Sequence, residues 1–202
     1  MGTLFVDKLD PQSGTSLEIG SSGDTMTVPS GATLSIAGTI NASSGTATGF
    51  GGNNTPAFEA FSTSQQAIND NTTLKVQCGT EVYDTASAYD NSSNYRFTPQ
   101  TAGKYFCYGQ VFIITSLASS INQATAYIYK NGSAVGANPN KFYSNPIQQF
   151  TATVSTVIDM NGSSDYVELY GYFDGDEDRN GVIDGNASQR RTMFGAYKLI
   201  TW

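Results

Sequence analysis

The 202-residue chain contains no histidine. That removes the side chain that most often shuttles protons near neutral pH and most often ligates transition metals. Neither a Ser-His-Asp nor a Cys-His arrangement can be assembled within one chain. Charge is scarce as well: Asp, Glu, Lys and Arg make up 13% of the residues, against about 25% in ordinary soluble domains. Ten basic residues stand against 17 acidic ones, the formal net charge is −7, and no basic run occurs. Nucleic acid is therefore excluded as an expected partner, because phosphate backbones call for clustered cations. No apolar stretch approaches the ~18 residues of a membrane-spanning helix, so no membrane insertion is expected. The opening MGTLFVDKLDPQSG has neither the basic start nor the apolar run of a secretory signal, so synthesis in a cytoplasm without export is expected. Val6 stands where an N-myristoylation signal requires Ser or Thr. Only two cysteines occur, Cys78 and Cys107, each within apolar alternation (LKVQC and YFCYG). Buried reduced thiols are the expectation, with a disulfide as the alternative.

Hydroxyl and amide residues take the place of charge, and they punctuate two kinds of β pattern. Between residues 15 and 40, Leu17 and Ile19, Met26 and Val28, and Leu34 and Ile36 form apolar pairs at period two, separated by Gly, Ser, Asp or Pro. Strands this short cannot bury their own faces within one chain. Three copies turning their pairs toward a common axis would, which predicts a trimeric β-stem of the triple-stranded prism or β-helix kind. NASSGTATGFGGNNT, residues 41–55, then reads as a flexible linker. The expected organisation is residues 1–54 as stem, attachment segment and linker, and residues 55–202 as head.

In that second part TLKVQC (73–78), YRFTP (95–99), GKYFCYGQVFII (103–114), ATAYIYKNG (124–132), FTATVSTVIDM (150–160), DYVELYGYF (165–173) and RTMFGAYKLI (191–200) alternate or carry β-branched and aromatic residues. Helical periodicity is absent throughout. The fold class expected is all-β, an antiparallel two-sheet sandwich or barrel.

FEAF (58–61), LKVQCGTEVYD (74–84), AYD and YRFTP (88–99), AGKYFCYGQV (102–111), YIYKNG (127–132), DYVELYGY (165–172) and FGAYKLI (194–200) follow one another in this order. In that order they resemble the trimeric jelly-roll head shared by the recognition subunit of the first complement component and the tumour-necrosis-factor ligands. The resemblance implies a jelly-roll head and a homotrimer about an aromatic and aliphatic axis. It also places Cys78 and Cys107 where the family carries inward rings, and Gly103 and Gly195 where strands pack too closely for a side chain. The leader, FVDKLDPQSGTSLEIG running into MTVPSGATLSIAG, resembles leader segments of tail-fibre and other appendage proteins of bacteriophages. That implies a virion location and other virion proteins as partners of the amino-terminal segment.

DGDEDRNGVIDG, residues 174–185, gathers five carboxylates within twelve positions. From Asp176 it follows the first nine positions of an EF-hand loop: Asp176, Asp178 and Asn180 for side-chain oxygens, Gly181 for the sharp turn, the carbonyl of Val182, Ile183 as anchor, and Asp184. Position twelve is Ala187 instead of a bidentate Glu. The candidate metal ligands are thus Asp176, Asp178, Asn180, Val182 and Asp184, with Ca2+ as the ion and an affinity on the order of 10⁻⁴ to 10⁻³ M. The competing reading is a solvated acidic turn. A glycosidase would need two carboxyls about 5 to 9.5 Å apart in a sugar groove. Here the acids crowd one turn or, as with Asp84 and Asp90, lie in polar turn-rich sequence, so no enzyme is expected. Frequent tyrosines leave sugar stacking open beside core packing. The reading that gathers these features is a non-enzymatic homotrimeric phage surface protein, a tail fibre or receptor-binding adhesin touching a host glycan or protein. Capsid decoration or head fibre is the alternative, and an extracellular glycan-binding adhesin or matrix protein a further one.

Overall fold

The computed structural model describes Ile19, residues 23–38 and residues 54–199. The chain divides into two units, Met1–Thr48 and Gly49–Trp202. In the first, residues 23–38 run extended with turns at Gly23 and at Ser30–Gly31, the second closed by the Ala32 N–H donating to the Pro29 carbonyl at 3.0 Å. No strand forms among these residues, and Met26, Val28, Leu34 and Ile36 are all exposed, Met26 at 66% and Leu34 at 58%. The expected two-residue strands are therefore not built within a single chain. The physical reason is the one that made them short: a pair offers too few ladder bonds and has nothing of its own to cover it. Leu17 lies outside the described residues.

Among the described residues the second unit contains thirteen strands: β1 (Ala57–Phe61), β2 (Gln66–Ile68), β3 (Thr72–Lys75), β4 (Thr80–Asp84), β5 (Tyr89–Asp90), β6 (Arg96–Phe97), β7 (Gly103–Ile114), β8 (Ile121–Lys130), β9 (Ser133–Lys141), β10 (Gln149–Met160), β11 (Val167–Gly175), β12 (Gly181–Ile183) and β13 (Met193–Lys198). One 3-10 turn, Asp176–Asp178, separates β11 from β12. Strands pair in nested order, β8 with β9, β7 with β10, β6 with β11 and β1 with β13, all antiparallel. A chain folded into one long hairpin and then rolled gives this nesting, which is the topology of a jelly roll. The first sheet runs β2-β12-β7-β13-β1-β4 with β10 on the free edge of β7, and the second runs β5-β6-β11-β8-β9 with β3 also on β11.

Alternation explains why these segments face as they do. Along β7, Tyr105, Cys107, Val111 and Ile113 are buried, while Phe106, Tyr108, Gln110 and Phe112 point away from the core. Small residues let the sheets approach: a Cβ on Gly109 would lie 2.5 Å from a Leu169 methyl, and one on Gly171 would lie 3.0 Å from a Val111 methyl. At one end the core is aromatic. Phe58 stacks on Tyr89 at 4.4 Å and on Phe97 at 4.6 Å, with Phe194 edge-on at 5.1 Å. Cys78 and Cys107 are both buried and unbridged.

Sequence alternation anticipated β3, β6, β7, β8, β10, β11 and β13 within a few residues. It missed β9, whose SAVGANPNK is exposed at most positions. An edge strand needs no apolar row, and Pro139 is tolerated there because one side of the backbone faces no partner.

Phe58→Ala removes the ring around which Tyr89, Phe97 and Phe194 are arranged, and should cost about 3 to 5 kcal/mol. Urea denaturation measures it. A loss below about 1 kcal/mol, the range of a surface substitution, would contradict this ring as the centre of the core.

Candidate functional site

The acidic turn lies at one end of the sandwich and is pinned by its neighbours. The Asp176 N–H donates to the Ser120 carbonyl at 3.0 Å, and the Asp176 side chain is exposed. Glu177 adopts a left-handed backbone (φ 53°, ψ 43°), and its carboxylate pairs with Arg179. Asp70, between β2 and β3, clasps the turn from both ends: its carboxylate accepts the Gly175 N–H at 2.6 Å, and its own N–H donates to the Asn180 side-chain oxygen at 3.0 Å. Val182 is the middle residue of β12, opposite Ala67 on one side and Ile114 on the other. Its carbonyl therefore lies in the plane of the sheet. Asp184 is only 6% exposed, and its two oxygens accept from Gln65 Nε2 and from Arg191, each at 3.0 Å.

Three of the five expected ligands thus have other partners. β12 takes Gly181–Ile183 out of the loop, Arg191 and Gln65 occupy the Asp184 carboxylate, and the Asn180 oxygen is held by Asp70. Among the described residues no three acidic, Cys or His side chains are grouped to hold a metal ion. The EF-hand spacing presumes a continuous loop. Here Gly-Val-Ile fills the edge of β7 at Ile113 and Ile114, beyond the Tyr105–Gln110 stretch that β13 covers.

The outward face of the first sheet is a second candidate. It presents Phe106, Tyr108 and Phe112 from β7 and Met193 and Tyr197 from β13, with Val157 of β10 at 51% exposure; Phe61 of β1, on the same side, is buried beneath Arg190. Phe106 lies 5.5 Å from Tyr197 and 6.0 Å from Tyr108, centre to centre. The Tyr108 ring fills the space above Gly195, where any side chain would collide with it. One carboxylate, Glu59, sits within this field. It accepts the Tyr108 hydroxyl at 3.0 Å and pairs with Arg190 at 3.2 Å. Desolvation first, and the hydrogen bond to Glu59 second, push the Tyr108 phenol well above the ordinary tyrosine range. A groove of about 470 Å³ runs beside this face between Tyr108, Gln110 and Met193 on one side and Ala137 and Asn138 of β9 on the other. This surface was missed as a site because inward and outward aromatics look alike in sequence. Period-two phase within GKYFCYGQVFII is the signal that separates them.

No protein-family model matches the chain, and no curated protein is significantly similar to it. Similar solved structures do exist. One is the Eiger TNF from S. frugiperda, with a TM-score of 0.49 and 10% identity, covering 71% of this chain and 91% of that one. Another is murine APRIL, with a TM-score of 0.48 and 11% identity, covering 71% of this chain and 99% of that one.

Neither thiol belongs to a reactive site. Burial pushes Cys78 and Cys107 up to about 12, and thiolate is the reacting form. Native protein at pH 8 should therefore react negligibly with Ellman's reagent, and denaturation without reductant should release two thiols per chain. Release of none would mean a disulfide. A separate titration addresses the acidic turn: millimolar calcium should leave the melting temperature unchanged. A rise that disappears when Asp176→Asn and Asp178→Asn are combined would restore a metal-binding turn.

Proposed function

We propose that the chain is a non-enzymatic, self-associating surface protein of a bacteriophage particle, a homotrimer with its jelly-roll head outermost and its first 54 residues as stem and attachment segment. The observation that carries the assembly is the outward face of the first sheet. Phe106, Phe112, Val157, Met193 and Tyr197 lie together on this face, Val157 at 51% exposure, and contiguous apolar side chains at a surface mark association sites. The exposed Met26, Val28, Leu34 and Ile36 support the same reading: apolar pairs left uncovered by one chain are covered by further copies about a symmetry axis. Glu59 sits inside the field with its charge already paired to Arg190, so burying the face need not leave an isolated carboxylate. The virion setting, and with it the host-adhesion role, rests on the resemblance of the leader to phage appendage proteins. Attachment to the capsid as a decoration or head fibre is the alternative arrangement of the same trimer.

Light scattering should give a trimer mass for the full chain and for residues 55–202 alone. Val157→Arg adds a charge to the field without touching the core, and should shift the mass toward monomer with little change in melting temperature. A monomeric full-length chain refutes the assembly. Gold labelling of particles separates tail from capsid.

A further inference from the structure

The first sheet has two open lateral edges. In order across it lie β4, β1, β13, β7 and β10, with β4 paired only to β1 and β10 only to β7. One line of the ladder crosses the whole width: Tyr83 stands opposite Glu59, Glu59 opposite Gly195, Gly195 opposite Tyr108 and Tyr108 opposite Ser155. At the β4 end of that line Val82 and Tyr83 are exposed, at 38% and 41%. At the β10 end lies the groove between Tyr108, Gln110 and Met193 on one side and Ala137 and Asn138 on the other, lined also by Ser155.

The β10 edge is capped in two places. Asn138 donates to the Thr153 carbonyl at 3.0 Å, and Lys130 to the Asp159 carbonyl at 2.7 Å. Alternation along an antiparallel strand puts the carbonyls of Ser155 and Val157 on the same edge, and among the described residues nothing bonds them there.

We infer that the β4 edge of one copy docks into this groove of the next, so that the homotrimer closes edge to edge. This joint rests on the assembly proposed above and names the surfaces that meet in it. A closed three-fold ring is heterologous: each copy offers two different patches, one to each neighbour. With the outward face of the first sheet turned to the axis and its strands running along it, those patches are the two lateral edges. Rotation preserves height, and the ladder line sets Val82 and Tyr83 at the height of Tyr108 and Ser155. Strands lying across the axis would instead bring together the ends of the sandwich, where Asp176 and Glu177 are exposed and like charges from neighbouring copies would repel. Charge favours the edges. Glu81 on β4 and Lys141 at the end of β9 are exposed, of opposite sign, and without an ion pair among the described residues.

The test uses full-length protein carrying Val82→Cys together with either Ser155→Cys or Ala137→Cys, one on each strand of the groove, under mild oxidation. Within one chain Val82 and Ser155 lie four strand spacings apart, about 19 Å, well beyond the roughly 7 Å that a disulfide spans between Cα atoms. A bond between the two positions therefore joins two copies. At least one pair should give covalent dimers and trimers on a denaturing gel without reductant, whereas no single substitution should; Cys78 and Cys107 are buried and take no part. All three sites are exposed, so the variants should keep the native melting temperature. If neither pair links in a protein of trimer mass by light scattering, the docking is overturned and the assembly stands. Linking by a single substitution also overturns it, because like edges would then meet. A monomer mass overturns both.

Discussion

Strand β7 alternates between two environments, and both surfaces of the first sheet follow from that. Its inward row, Tyr105, Cys107, Gly109, Val111 and Ile113, meets the second sheet; its outward row, Phe106, Tyr108, Gln110 and Phe112, forms the apolar field. A slip of one residue against β10 or β13 would exchange the two rows and expose the core. The packing guards the register. Gly109 admits the Leu169 methyls and Gly195 admits the Tyr108 ring, so a shifted strand would set side chains where only hydrogen fits.

Phe58 joins this arrangement to the second sheet. Its ring contacts Tyr89 and Phe97 of that sheet and Phe194 of its own, so strands as short as β5 and β6 are held by side-chain packing more than by their ladder. The two cysteines follow the same logic. In a core this rich in rings, a buried sulfur is a small apolar filler, and burial keeps its proton in place.

The outward faces divide the remaining chemistry. One carries phenylalanine, valine and methionine, which gain by leaving water; the other carries tyrosine, Tyr129 and Tyr170 packed ring on ring and the hydroxyls of Tyr170 and Tyr172 bonded to Glu168 and Asn71, which tolerates water. Aromatic content alone would not separate them.

Period-two alternation in segments such as GKYFCYGQVFII and FTATVSTVIDM was enough to read the long strands and the all-β class, because side chains on a pleated backbone face opposite ways whatever the strand pairs with. It also placed both cysteines inside. Tertiary structure alone decided the rest. The edge strand β9 has no apolar row to read, since nothing packs on its outer edge. GVI within the acidic turn became β12 because β7 offered open ladder bonds at Ile113 and Ile114, and that pairing, together with Arg191 reaching Asp184, gave Val182 and Asp184 partners that the sequence did not show. The two aromatic faces likewise became distinct only when cross-strand register set Tyr170 beside Tyr127 and Phe106 beside Tyr197, because neighbours across a sheet come from segments far apart in the chain.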